Sequence, residues 1–302
     1  TKLFVNNWNL YGSILTTNIF GVLNNNYGDT TSLSHDMVAV TFDYTTNQWN
    51  STYAYAADSL DVMNGIFVFP LSTDIAGNEI RTDRYVYVEQ NGTLFDKDTI
   101  KDIENTFTTV GNVSKWASLN NPYTANLSIT QFVNDNNLTE GTVFVYNPEY
   151  MTIKDNDTIY GKWESNLTGI TKIDPARGFI ISVGSTAQTG TKAINKKIKF
   201  KKDQLVPANK KEANNDIASS MIRFTAKANR AENTAYVNIN KEASNGYDSR
   251  DAFAFFSTNN KYLVEPYFVV DDAKILKNEI QAIPYQVPIN FHSGSQSDVD
   301  FV

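Results

Sequence analysis

The chain of 302 residues contains no cysteine, which excludes disulfides, zinc-thiolate centres and cysteine nucleophiles together. Its stability must therefore come from burial. Histidine is almost as scarce: His35 and His292 are the only two, so neither a histidine metal site nor a histidine-pair mechanism is indicated. No apolar run approaches the ~20 residues that a membrane-spanning helix requires. There is no basic excess either, with 26 Lys and Arg against 33 Asp and Glu and a net charge of −7. A mildly acidic surface disfavours nucleic acid as a partner, because neutralising phosphates takes a basic face. The chain opens Thr1-Lys2-Leu3, without methionine or signal sequence, as expected of a processed or truncated secreted protein.

What is present is mainly β in character. Tyrosine (16) and phenylalanine (18) dominate the aromatics, and turn dipeptides recur, a composition that favours strands joined by tight turns. Trp8, Trp49 and the run Gly65-Ile66-Phe67-Val68-Phe69 are echoed by Trp116, Trp163 and Gly178-Phe179-Ile180-Ile181-Ser182, at separations of 108, 114 and 113 residues. A nearly constant offset that includes every tryptophan of the chain points to an internal repeat. The expected architecture is all-β, made of tandem β-sandwich domains of jelly-roll or Ig-like type. Repeat 1 spans 1–105, repeat 2 spans 106–205, a linker runs 206–217, and a third sandwich, cut short at its C-terminus, spans 218–302.

Locally, residues 37–44 alternate Val38, Val40, Phe42 and Tyr44 on one face, as in a strand with one side buried. Residues 84–90 followed by Asn91-Gly92 and Thr93-Leu94-Phe95 predict a hairpin with a type I′ turn. Residues 98–105 read as a short helical turn or linker. Ser128, with Gln131 three residues on and Ile129, Phe132 and Val133 as an apolar face, predicts a capped helix stopped by 134–137. Lys196, Lys197, Lys199, Lys201 and Lys202 alternate around Ile198 and Phe200 and read as the guard of a solvated edge strand. In the third segment, strands are expected at 221–226, 235–240, 252–256, 262–270 and 287–291.

No catalytic constellation emerges. Ser34-His35-Asp36 carries the letters of a triad, but three consecutive side chains cannot line up in hydrogen-bonding order. Asp155-Asn156-Asp157 and Asp248-Ser249-Arg250-Asp251 offer hard oxygen ligands without the spacing of a calcium loop, and read as turn-forming residues. No metal or cofactor is expected, and the chain is read as a non-enzyme. Trp49 and Trp163 lie in polar surroundings and are candidates for stacking on a sugar ring.

The stretch Trp116-Ala117-Ser118-Leu119-Asn120-Asn121-Pro122-Tyr123 resembles the W-N-L-I-G-N-P-Y opening found in large cell-surface proteins that Bacteroidota export through the type IX secretion system. Trp8-Asn9-Leu10-Tyr11-Gly12-Ser13 is similar without the Asn-Pro-Tyr ending, and 174–180 resembles the turn and Gly-aromatic strand that follow in that family. Residues 246–252, 262–263 and 283–285 resemble the β-sandwich that precedes the C-terminal sorting domain in such proteins. The resemblance implies export by the type IX machinery and display at the bacterial cell surface, in a family whose members include adhesins, proteases and glycan-degrading enzymes; tandem β modules without a catalytic motif point among these to an adhesin or binding role toward a glycan or protein ligand. Alternative roles are a noncatalytic accessory region of a secreted polysaccharidase or peptidase, and a structural stalk or surface-layer component. It also implies O-glycosylation at Asp-Ser/Thr tripeptides, with Thr30, Ser59, Thr99 and Thr158 as acceptors.

Overall fold

The computed structural model of the chain describes residues 2–16, 37–44, 46–50, 61–73, 77–79, 82–109, 113–154, 157–186, 190–207, 221–228, 231–256, 263–282, 285–293 and 300–301. The fold is all-β. Among the described residues the one α-helix is Ile129–Asp135, and no helix is long and apolar enough to cross a membrane. The helix forms where local chemistry predicts it. The Ser128 side chain accepts from the Gln131 N–H, Ile129, Phe132 and Val133 are buried, and Asn136 ends the helix.

The residues matched by the repeat occupy matching registers. In the first segment the strand Asn9–Tyr11 pairs antiparallel with Ile66–Pro70, Leu10 opposite Phe67. In the second, Val113–Asn120 pairs with Gly178–Thr186, Ser118 opposite Ile180. The offsets of 108 and 113 carry one pair onto the other. On the far side, Met37–Val40 pairs with Ile66–Pro70 as Val143–Lys154 pairs with Gly178–Thr186, and an offset of 104 takes Val40 to Phe144. Phe42 faces Trp49 as Tyr146 faces Trp163. Even backbone hand is shared, because Asn47 and its counterpart Gly161 both have positive φ, 62° and 96°.

The two segments also cross each other reciprocally. Tyr11 bridges Arg177, and Asn64 bridges Leu119. The Gly12 N–H donates to Ala176 O at 2.9 Å, and the Asn120 N–H donates to Met63 O at 2.9 Å. Each contact is the image of the other under the repeat offsets, the pattern of an isologous two-fold interface, here inside one chain. The equivalent positions 12 and 120 meet. A Cβ on Gly12 would lie 1.9 Å from Asn120 Cγ, so the glycine makes room for the asparagine. Asn120 Nδ2 then donates to Ser13 O at 2.7 Å and to Val62 O at 2.9 Å, tying down the first segment from within the second.

Because of this crossing, the sheets are packed on both faces. Met37 and Ala39 are fully buried in one core with Tyr11, Ile66 and Val68, whereas Val40 and Phe42 face another. The expected half-buried strand at 37–44 is thus corrected to one buried on both sides. The second core is aromatic. Phe67 meets Trp8, Trp49, Tyr146 and Trp163 at ring distances of 5.9, 4.4, 5.0 and 5.7 Å. Phe255 of the third segment adds contacts to Trp116 and Trp163 at 4.7 and 4.9 Å. All three segments therefore contribute to one core.

Three further expectations change. Tyr85–Tyr87 pairs with Lys2–Phe4, while Phe95 N–H donates to Ile14 O and Thr16 N–H to Thr93 O, so no hairpin closes at Asn91-Gly92. The extended runs there are satisfied by the distant N-terminal strand instead. Residues 98–105 are no helical turn but part of the strand Thr99–Thr109, which pairs with Gly190–Phe200; the expected boundary at 105/106 falls inside it. Ile198 and Phe200 of that partner are fully buried, and Lys197, Lys201 and Lys202 pair with Asp102, Asp135 and Asp96. Its outer edge at Lys199 is closed by Asn136, whose amide bonds both the N–H and the carbonyl of that residue. The residues expected as a linker lie outside the described residues from 208 onward.

In the third segment the sheet order is Ile289–Ser293, Val264–Val270, Ala273–Ile280, Ala231–Ile239, Ile222–Ala228 and Asp300–Phe301, with Ala252–Phe253 also on Ala273–Ile280. Its central strand, Ala273–Ile280, carries Lys277 and Glu279, which hid it from hydropathy. Both are buried, with Lys277 Nζ 2.9 Å from Glu279 Oε1 and 3.3 Å from Glu140 Oε2 of the second segment. Asp271 and Asp272, φ 47° and 65°, form the two-residue turn into it, where Val270 faces Ala273.

Asp251 is 2% exposed and accepts N–H bonds from Asp248 and Glu279 at 2.9 and 2.8 Å. Burial pushes its carboxyl up from 3.8 to about 6, with Asp248 and Glu279 adding repulsion and the two N–H donors opposing. A raised carboxyl contributes stability that is present below its unfolded pKa and lost as pH climbs through the folded one. Urea unfolding of the wild type and Asp251→Asn between pH 4 and 7 should therefore show the wild type losing on the order of 3 kcal/mol relative to the variant across that window. A pH-independent difference would mean the carboxyl is not held up.

Candidate functional site: a cleft beside Arg177

A cleft of about 310 Å³ opens between the N-terminal strand and the second segment. That volume is at the lower end for small-molecule sites and suits a single sugar ring. A smaller cavity beside Trp163 and Phe255, about 40 Å³, is of a size for water.

Three separate stretches build the cleft. Phe4 ends the strand Lys2–Phe4 and is pinned by Asn9, whose Oδ1 accepts from the Phe4 N–H at 2.9 Å and whose Nδ2 donates to the Phe4 carbonyl at 3.0 Å. Asn147, Pro148 and Glu149 lie where the pairing of Val143–Lys154 with Asp157–Ser165 slips register. A proline is tolerated in a strand at such an irregularity, and its carbonyl accepts from Asn7 Nδ2 at 2.6 Å. The third stretch, 172–177, leads into the Gly-aromatic strand. Ala176 takes a positive φ of 58°, its N–H donates to Asn121 O, and the Arg177 N–H donates to Asp174 O, both at 3.1 Å. Asn121 Nδ2 donates to Ala125 O and Ile173 O at 2.9 Å, so Asn121 anchors these loops.

Arg177 is one of two cations that line the cleft, with Lys172. Its guanidinium donates to the Tyr146 carbonyl, and among the described residues no carboxylate is within ion-pairing distance of it. Burial lowers its pKa, while Asp174, Glu149 and Glu164 oppose the shift from a distance. Lys172 lies on the same wall. With the Asn126 amide turned to satisfy its neighbours, Oδ1 accepts from Lys172 Nζ at 3.3 Å and Nδ2 donates to Asp174 Oδ1 at 3.1 Å. Glu149 faces Lys2 at 3.6 Å.

Counted on from the last paired positions, Asp43 and Asn147, the first segment has a tyrosine where the second has a proline. The offset of 104 that takes Phe42 to Tyr146 takes Tyr44 to Pro148, and the offset of 113 takes Asn64 to Arg177. The Tyr44 hydroxyl lies 3.2 Å from Asn64 Oδ1 and 2.9 Å from Ser118 O, and burial pushes its pKa up. Where the first segment has a ring and a hydroxyl, the second has a proline and a cleft.

The residues singled out in the sequence are placed elsewhere. Trp163 is 7% exposed among Phe67, Tyr146 and Phe255, so a sugar could stack on it only by opening the core. Trp49 is half-buried against Phe42 and Phe67. Thr99 is half-buried opposite Phe200, Thr158 faces Ile153 in register, and Thr30 and Ser59 lie outside the described residues. His35 is outside them too, and His292 Nδ1 stands 3.3 Å from Glu265. Asp248 and Asp251 spend their oxygens on backbone N–H groups, and among the described residues no group of three or more acidic or histidine side chains is placed to hold a metal. Sequence reading missed Lys172, Asn147 and the role of Arg177, which converge from separate strands; the proline inside a strand at 148 was the one local signal. No protein-family model, no curated protein and no solved structure matches the chain.

Proposed function

We propose that the chain is the binding region of a secreted, surface-displayed bacterial protein, an adhesin-like module exported by the type IX machinery, and that the cleft beside Arg177 takes a glycan. Two segments of common plan, derived from one duplicated unit, would then have diverged, one into scaffold and the other into a site. The resemblance of 116–123 and 174–180 supports the export route. The observation that carries the binding role is the cleft itself, lined by Pro148 and Arg177 where the first segment, by count, has Tyr44 hydrogen-bonded to Asn64. The cleft joins an apolar wall that includes Phe4 and Ile170 to planar polar groups on Asn147, Asp174 and Arg177, a mixture that suits the apolar and hydroxyl faces of a sugar.

A glycan array probed with the wild type and with Pro148→Tyr tests this. Binding to a defined set of glycans, abolished by the tyrosine while the circular dichroism spectrum and melting temperature hold, is expected. Binding to no glycan by an intact fold, or binding indifferent to Pro148→Tyr, would contradict it; the first result leaves a structural stalk as the role.

A further inference from the structure

Resting on the glycan-binding reading, we propose that the sugar is acidic, a hexuronic acid residue whose carboxylate is held by Arg177. The first segment offers a comparison: beside Asn64, the counterpart of Arg177, stands a six-membered ring carrying an oxygen. Asn64 can accept as well as donate, so a tyrosine hydroxyl suits it. Arg177, its counterpart, has donors only and presents them as a planar fork. The ligand atom facing it must be an acceptor, and a carboxylate matches two of its N–H groups at once.

Charge points the same way. The guanidinium has one hydrogen-bond partner, the Tyr146 carbonyl, and among the described residues no carboxylate in direct ion-pair contact; Asp174, Glu149 and Glu164 act on it only from farther off, which leaves its remaining donors to a ligand. Lys172 brings a second positive charge to the same wall. Two acids share the lining and act on Arg177 from a distance: Glu149 also pairs with Lys2, and Asp174 accepts from Asn126. Their remaining lone pairs are acceptors for ring hydroxyls, which a uronic acid has and a simple aromatic acid lacks.

Isothermal titration of the intact chain with methyl β-glucuronide, methyl galacturonide, methyl β-glucoside and benzoate distinguishes the ligands. The uronides are expected to bind at least about tenfold more tightly than the glucoside, with benzoate weaker than either uronide. Arg177→Gln should remove that preference, and Pro148→Tyr, which leaves the arginine in place, should abolish binding of every sugar. If Arg177→Gln does not fold, the wild-type preference and Pro148→Tyr decide the matter. Equal binding of glucoside and uronide, or tighter binding of benzoate, would overturn the acidic-sugar assignment while leaving glycan binding intact. Binding of no sugar at all would overturn both.

Discussion

Alanine at position 65 is expected to cost about 3 kcal/mol or more of stability, an effect out of proportion to one methyl group. The added Cβ would lie 2.4 Å from the Leu119 carbonyl oxygen and 2.8 Å from Ser118 Oγ. The first of these is backbone, held by the pairing of Leu119 with Phe179, and cannot swing away. The two segments would have to separate at their crossing, where Gly65 N–H donates to Ser118 O and Ser118 Oγ donates to Gly65 O. The counterpart, Gly178→Ala, meets first the Cγ of Leu10, 2.5 Å away on a side chain that is itself 2% exposed, with the Leu10 backbone carbon farther off at 3.2 Å, so its closest clash is with a side chain rather than with backbone. It should therefore be the milder of the two. Chemical denaturation of both variants measures the difference; equal and small effects would mean that the segments do not cross at these glycines.

Phe67→Ala is expected to be the second large loss, about 3 to 5 kcal/mol. Phe67 is 2% exposed, and its ring is the point where tryptophans of the first and second segments meet. Truncation would leave Trp8, Trp49, Tyr146 and Trp163 facing a void that rigid rings cannot close by small shifts. Because Trp163 also packs on Phe255, the vacancy should be felt across segments. The expected signature is a single cooperative transition at lower denaturant with tryptophan fluorescence and far-ultraviolet circular dichroism still coincident. Separate transitions for the two signals would show that the segments fold on independent cores.

Features settled by near neighbours were legible in the sequence. Ser128 caps its helix through a bond to a residue three positions away, and the tryptophan offsets needed only counting. Features settled by distant partners were not. Asn91-Gly92 has the residues of a tight hairpin, yet Tyr85–Tyr87 finds Lys2–Phe4 instead. The turn geometry expected there occurs at Asp271-Asp272. Residues 99–105 look too polar for a paired strand until Asp102 is set against Lys197. Ala273–Ile280 lies at the centre of its sheet with a buried lysine and glutamate, a pattern that hydropathy reads as surface. The cleft was the least legible, since Phe4, Pro148 and Arg177 are more than 140 residues apart at the extremes and only counting on from the paired Asp43 and Asn147 sets Pro148 against Tyr44. The tryptophans attracted attention as sugar platforms because their sequence neighbours are polar. In a strand, though, polar neighbours point to the opposite face and say little about the ring between them.

The correspondence between Tyr44 and Pro148 carries the functional reading, and a crystal structure of Pro148→Tyr tests it most directly. The tyrosine ring is predicted to lie in the cleft with its oxygen within hydrogen-bonding distance of the Arg177 guanidinium, as Tyr44 lies beside Asn64. A ring turned out to solvent, with the cleft beside Arg177 still open, would contradict the account.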